Sequence, residues 1–197
     1  MKLVELFSIV EDRAIDFEVL KKDLPKFDDP TTSKTVGTFD GYEIKGERFN
    51  SKIDAYGIVL DDVVSGVAFV EAADRLVAGK TVQRLVKVWV DDKTRGKGIA
   101  ASLILFLLRK LNIKLLVDDF VTIMGEKMLR KLATSKKIDL TGVEGGKLVQ
   151  VEPDKLLMVP NRYHLILESQ KTVQDEELFE DIRLPDYRQF RGDPEWD

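Results

Sequence analysis

The 197-residue chain predicts an α/β (α+β) fold in which helices pack against one sheet. Three features carry that expectation. Two β-prone runs, 54–60 and 63–70, meet at Asp61-Asp62, a hairpin signal. A strand-like run, 81–90, leads through a polar, glycine-bearing turn into the most apolar stretch of the chain, 99–108, broken only by Ser102. Strand-like and helical runs then alternate to about residue 167.

The elements follow in order. Residues 2–9 read as a strand, and 11–23 as a helix with Ile15, Phe17, Val19 and Leu20 set among charges. Pro25, Asp28, Asp29 and Pro30 break it. The polar stretch 31–49 reads as a loop with a short strand at 42–44. The hairpin and the strand 81–90 come next. Residue 95 opens a helix running to 111, and 114–121 returns to strand. A second helix covers 125–134, with Met128, Leu129 and Leu132 on one face. Two strands, 148–151 and 163–167, close the sheet, with Gly142, Gly145, Gly146, Pro153 and Pro160 in the turns. The expected domain is 1–168. Residues 169–197 form an acidic extension with scattered aromatics, Phe179, Tyr187, Phe190 and Trp196.

Composition narrows the function. Hydrophobic residues make up 44% of the chain, as in ordinary globular proteins, and there is no cysteine to form a disulfide or a thiolate metal site. No His/carboxylate grouping has metal-ligand spacing, so no metal is expected. A net charge of −4 gives no general attraction to nucleic acid. The first residues lack a leader pattern, and the longest apolar run falls well short of the ~20 residues that span a bilayer. A cytoplasmic protein without membrane attachment is expected.

The chemistry concentrates in Arg95-Gly96-Lys97-Gly98-Ile99-Ala100. Glycines let a backbone approach a ligand closely and adopt dihedrals that other residues resist. The free N–H groups of a helix's first turn point outward with the positive end of the dipole behind them. Arg95 and Lys97 add charge. A phosphate or diphosphate suits such a turn.

These residues resemble motif A of the GNAT superfamily, acetyl-CoA-dependent N-acetyltransferases, which reads Arg/Gln-x-x-Gly-x-Gly/Ala between a strand and a helix. Arg95, Gly98 and Ala100 match its fixed places, and the order of elements resembles the family's over about residues 55–168. The resemblance implies a mixed, mostly antiparallel sheet whose fourth and fifth strands splay apart. It implies acetyl-CoA (or CoA) in the gap, with Val88, Trp89 and Val90 along the pantetheine arm. Arg95, Gly96, Lys97, Gly98, Ile99 and Ala100 would cradle the diphosphate. It also implies a bulge in the fourth strand, which the sequence does not reveal.

The chain departs from the family pattern twice. The place of the usual glutamate base falls at Arg84, beside Gln83, and neither can accept a proton in that role. The place of the tyrosine acid falls at Leu129, with Thr122 and Gly125 at the other marks of that helix motif. Substitute bases are Glu71 and Asp118, with Asp74 and Asp119 beside them. His164, the one histidine, alternates with apolar neighbours and reads as a strand residue. Trp89 reads as core or as groove lining. The implied partner is an amine-bearing acceptor, either a small molecule or a protein, and a homodimer is left open. Two functions fit: an N-acyltransferase, or a GNAT-like module that binds CoA or a protein without catalysis.

Overall fold

The computed structural model describes residues 24–25, 27–29, 31–117, 123–154 and 164–170. The expected strand 2–9 and helix 11–23 lie outside these residues, as do Asp118, Asp119, Thr122 and the extension beyond 170.

The stretch expected to be a loop is a second hairpin. Strands β1 (Ser33–Phe39) and β2 (Tyr42–Asn50) pair antiparallel, with Phe39 opposite Tyr42. The reason is the turn between them: Asp40 and Gly41 both have positive φ, at 50° and 80°. Asp-Gly accepts that conformation readily, and its twist matches that of the flanking strands. The expected hairpin follows as β3 (Ile53–Leu60) and β4 (Val63–Glu71), turning at Asp61 and Asp62 with φ of 49° and 59°. A short β5 (Arg75–Val77), absent from the sequence reading, pairs with the start of β6 (Lys80–Val90).

Helix α1 covers Ile99–Arg109, four residues later than expected. A single 3-10 turn occupies Asp92–Thr94, and Gly96 and Gly98, both at φ 84°, hold the intervening chain out of the helix. Strand β7 (Leu115–Val117) and helix α2 (Ile123–Thr134) follow. The sheet closes with β8 (Ile138–Glu144), β9 (Lys147–Gln150) and β10 (His164–Ser169). Strand β8 was not anticipated. Gly142, expected in a turn, sits inside it opposite Leu165.

The strands form one sheet ordered β1-β2-β3-β4-β6-β7-β10-β8-β9, with β5 to the side. Among the described pairings only β6–β7 is parallel. This is the mixed, mostly antiparallel sheet flanked by helices that the resemblance implied. The apolar run 99–108 supplies the core: Ile99, Leu103, Ile104, Leu105, Phe106, Leu107 and Leu108 are all buried. They pack with Ile44, Ile58, Ala68 and Val70 from the sheet and with Leu129 and Leu132 from α2. No helix among the described residues is long and apolar enough to cross a membrane.

The far side of the sheet carries a smaller cluster around Phe27, Ala55, Val67 and Phe69. Here Gly57 is required, because a Cβ would lie 2.2 Å from the Phe27 ring.

An ionic tie joins β6, the residue before β7, and β10. The Glu168 carboxylate accepts from Lys80 and, at 2.9 Å, pairs with Lys114. Partial burial alone would raise its pKa, but the two ammonium groups outweigh burial and hold it below the usual carboxylate value. A depressed folded pKa stabilises the fold above the unfolded value of about 4.3 and loses that contribution as pH falls. Glu168→Gln is therefore expected to lower the denaturation midpoint at pH 7, with the gap to wild type closing towards about pH 3. Denaturant unfolding across that range checks it.

Candidate functional site

The site begins where β6 and β7 part. Their parallel pairing is confined to Gln83–Leu115 and Arg84–Leu116, with the Gln83 N–H donating to the Lys114 carbonyl at 2.9 Å. From residue 85 to 90 strand β6 keeps β4 on one side and, among the described residues, has no paired strand on the other. The expected splay is therefore present.

The side of β6 that faces the gap follows from its register with β4. The Asp91 N–H donates to the Ser65 carbonyl at 3.0 Å, which makes 91 and 65 a hydrogen-bonded pair. Antiparallel ladders alternate, so Trp89 opposite Val67 bonds towards β4. Val88 opposite Ala68 and Val90 opposite Gly66 then turn their N–H and C=O groups to the gap. An extended amide-bearing chain laid there meets a ready row of donors and acceptors. Trp89 is not part of that row. Its side chain packs with the Phe27 cluster on the far face, and its backbone is engaged by β4.

The bulge is present too. Val70 pairs with Leu85 and the next β4 residue, Phe69, pairs with Lys87, so Val86 is an extra residue in β6. Val86 is 40% exposed, unusual for a valine in a central strand. A bulge needs a partner strand to be defined, which is why the sequence of β6 alone conceals it.

At the other end of this edge lies the glycine turn. Thr94, which the sequence reading did not single out, pins it from below. Its buried hydroxyl is 3.0 Å from both the Ser65 and Asp91 carbonyls. The Arg95 and Lys97 N–H groups close the turn onto Asp92 and Thr94. The N–H groups of Gly96, Gly98, Ile99 and Ala100 have no protein acceptor among the described residues. Helix α1 starts without a side-chain cap and without an acid in its first turn. A Cβ built on Gly96 or Gly98 would meet nothing within 4 Å. These glycines answer a positive φ and open space, not crowding by the protein. Ile99 contributes its N–H alone, since its side chain is buried against Gly66, whose absent Cβ admits it.

Charge at the turn is partly compensated. Arg95 pairs with Asp92 at 2.6 Å, both largely exposed. An incoming phosphate competes for that guanidinium at low cost, because exposed pairs contribute little.

The carboxylate candidates separate. Glu71 ends β4 beside the bulge, but its oxygens are engaged. Arg75 donates from Nε and Nη2, each at 2.8 Å, and Arg84 from Nη1 at 3.2 Å. It ties β4 to β6 and is not a free proton acceptor. Asp74 accepts from the Gln83 amide at 3.0 Å. Asp118 lies outside the described residues, immediately after β7 in sequence. His164 is in β10 opposite Val143. Leu129, at the place of the family's acid, is buried in the core.

No protein-family model matches the chain, and no curated protein matches its sequence. Solved structures do. A KacTA–DNA complex is 14% identical over 68% of this chain and 76% of that chain, with a TM-score of 0.41. A mutant of the AtaT toxin bound to the C-terminus of the antitoxin AtaR is 14% identical over 66% and 73%, at 0.38. The histone acetyltransferase HPA2 and related acetyltransferase from Corynebacterium glutamicum is 12% identical over 62% and 68%, at 0.37. The likeness is partial. The splay, the bulge and the turn that the resemblance implied are present in the backbone.

Proposed function

We propose that the chain is a GNAT-like N-acyltransferase that takes an acetyl group from acetyl-CoA to an amine of a small molecule, peptide or protein. One observation supports this most: the gap-facing amides of Val88 and Val90 lead directly to the unengaged amides of Gly96, Gly98, Ile99 and Ala100. A diphosphate joined to an amide-bearing arm fits both halves of that path at once.

In the reaction the amine nitrogen attacks the thioester carbonyl, a C–N bond forms, and the C–S bond breaks to release the thiolate. A thiol of pKa about 8.5 leaves without a dedicated acid, so Leu129 at the acid's place is compatible with turnover. In this reading a gap-facing N–H of β6 around Val90 serves as donor to the developing oxyanion. The ammonium proton must go to a base or to water. With Glu71 held by Arg75 and Arg84, Asp118 is the candidate base carried forward.

A second reading is a module that binds CoA or a partner protein without turnover. The engagement of Glu71 and the basic Arg84 favour it.

Thiol release from acetyl-CoA with a panel of amines separates the two. Turnover is expected, with kcat in Asp118→Asn lowered about a hundred-fold, the usual share of general-base catalysis. Coenzyme binding without thiol release for any amine decides for the second reading. We place the protein in the cytoplasm, with no metal in the reaction.

A further inference from the structure

The β1–β2 hairpin has no part in the motif discussed so far, yet its tip touches the glycine turn. Tyr42, the first residue of β2, directs its hydroxyl to the Lys97 carbonyl at 3.4 Å. Two residues back, the Asp40 carboxylate accepts from the Ser102 hydroxyl of α1 at 2.9 Å. Lower down, Gly37 of β1 lies so close to α1 that a Cβ would sit 3.1 Å from the Phe106 ring. The hairpin is thus braced along the helix, and its last contact falls on the peptide that enters it.

We infer that Tyr42 is a positioning residue for coenzyme binding, acting through the Lys97–Gly98 peptide. The inference rests on the proposed coenzyme site. A peptide unit is planar and trans, so its C=O and N–H point in opposite directions. Holding the Lys97 carbonyl towards Tyr42 aims the Gly98 N–H away from the hairpin. That constraint matters here because Gly98 has unusual rotational freedom and no Cβ contact to restrain it. Thr94 fixes the preceding end of the turn, through the Lys97 N–H on its carbonyl at 3.3 Å and its own hydroxyl on Ser65. Tyr42 fixes the following end. The bond is long, at 3.4 Å. An anion on the Gly98 N–H polarises the same peptide and strengthens the carbonyl as an acceptor, so the two bonds reinforce one another.

The test is Tyr42→Phe, which removes one oxygen from a half-buried ring and keeps its packing. Calorimetric titration with CoA and with pantetheine, which lacks the diphosphate, reads the effect. The expected result is a three- to ten-fold weaker Kd for CoA, an unchanged Kd for pantetheine and an unchanged melting temperature. Ser102→Ala, which releases the Asp40 contact and leaves Tyr42 in place, is expected to bind CoA as wild type does. Equal CoA affinity in Tyr42→Phe and wild type overturns the inference while leaving the coenzyme site intact. Equal weakening for both ligands also overturns it, because the effect is then general to the fold. If wild type itself binds no CoA, the proposed function fails first.

Discussion

Gly98→Trp is expected to abolish coenzyme binding in a protein that still folds. Gly98 caps α1 at φ 84°, where a residue with a Cβ costs about 1–2 kcal/mol. A Cβ there meets no protein atom within 4 Å, so the substitution adds no crowding at its branch point. The indole then fills the space onto which the Gly96, Gly98, Ile99 and Ala100 amides open. A diphosphate loses both its room and its donors. Affinity for CoA should fall by a hundred-fold or more, about 2.7 kcal/mol. Calorimetry measures the binding and thermal unfolding measures the fold. CoA affinity within three-fold of wild type would place the diphosphate elsewhere.

Gly66→Val is expected to damage the fold and the site together. Gly66 lies in β4 opposite Val90, and a Cβ there would be 2.5 Å from Ile99 Cγ2 and 3.3 Å from the Trp89 carbonyl. Ile99 cannot swing away: it is buried, and its γ-branch is stiff in a helix. The first turn of α1 must therefore lift from the sheet, carrying the Ile99 and Ala100 amides with it. Overpacking of this kind costs about 1–3 kcal/mol, and valine adds two methyl groups beyond the first clash. The denaturant midpoint should fall accordingly. In whatever fraction remains folded, CoA binding should weaken more than in a core variant of equal stability loss remote from the turn, such as Leu140→Ala. A matched loss of binding in the two variants would mean that Gly66 serves stability alone.

What the sequence disclosed and what it hid follow a physical division. The Asp61-Asp62 hairpin, β6 and the apolar helix were legible because period, turn chemistry and burial agree there. The first hairpin was hidden by its polarity. Exposed and half-buried residues dominate β1 and β2, and charged residues flank the Asp40-Gly41 turn. Strand β8 alternates buried and half-buried residues from Ile138, but Gly142 at its centre reads as a turn until Leu165 is seen opposite it. The glycine turn was legible as chemistry yet its helix was started four residues early, since propensity does not register the excursions to positive φ at Gly96 and Gly98. The splay, the Val86 bulge, the engagement of Glu71 and the reach of Tyr42 are relations between segments. No local pattern carries them.

The central claim is that the edge of β6 turned away from β4 and the amides after Thr94 bind one coenzyme. Titrating the 15N-labelled protein with CoA and following backbone amide shifts tests it residue by residue. The expected result is saturable shifts at Val88, Val90, Gly96, Gly98, Ile99 and Ala100, with Trp89 moving less than its neighbours. Saturable shifts confined to other surfaces, or none at millimolar CoA, would contradict it.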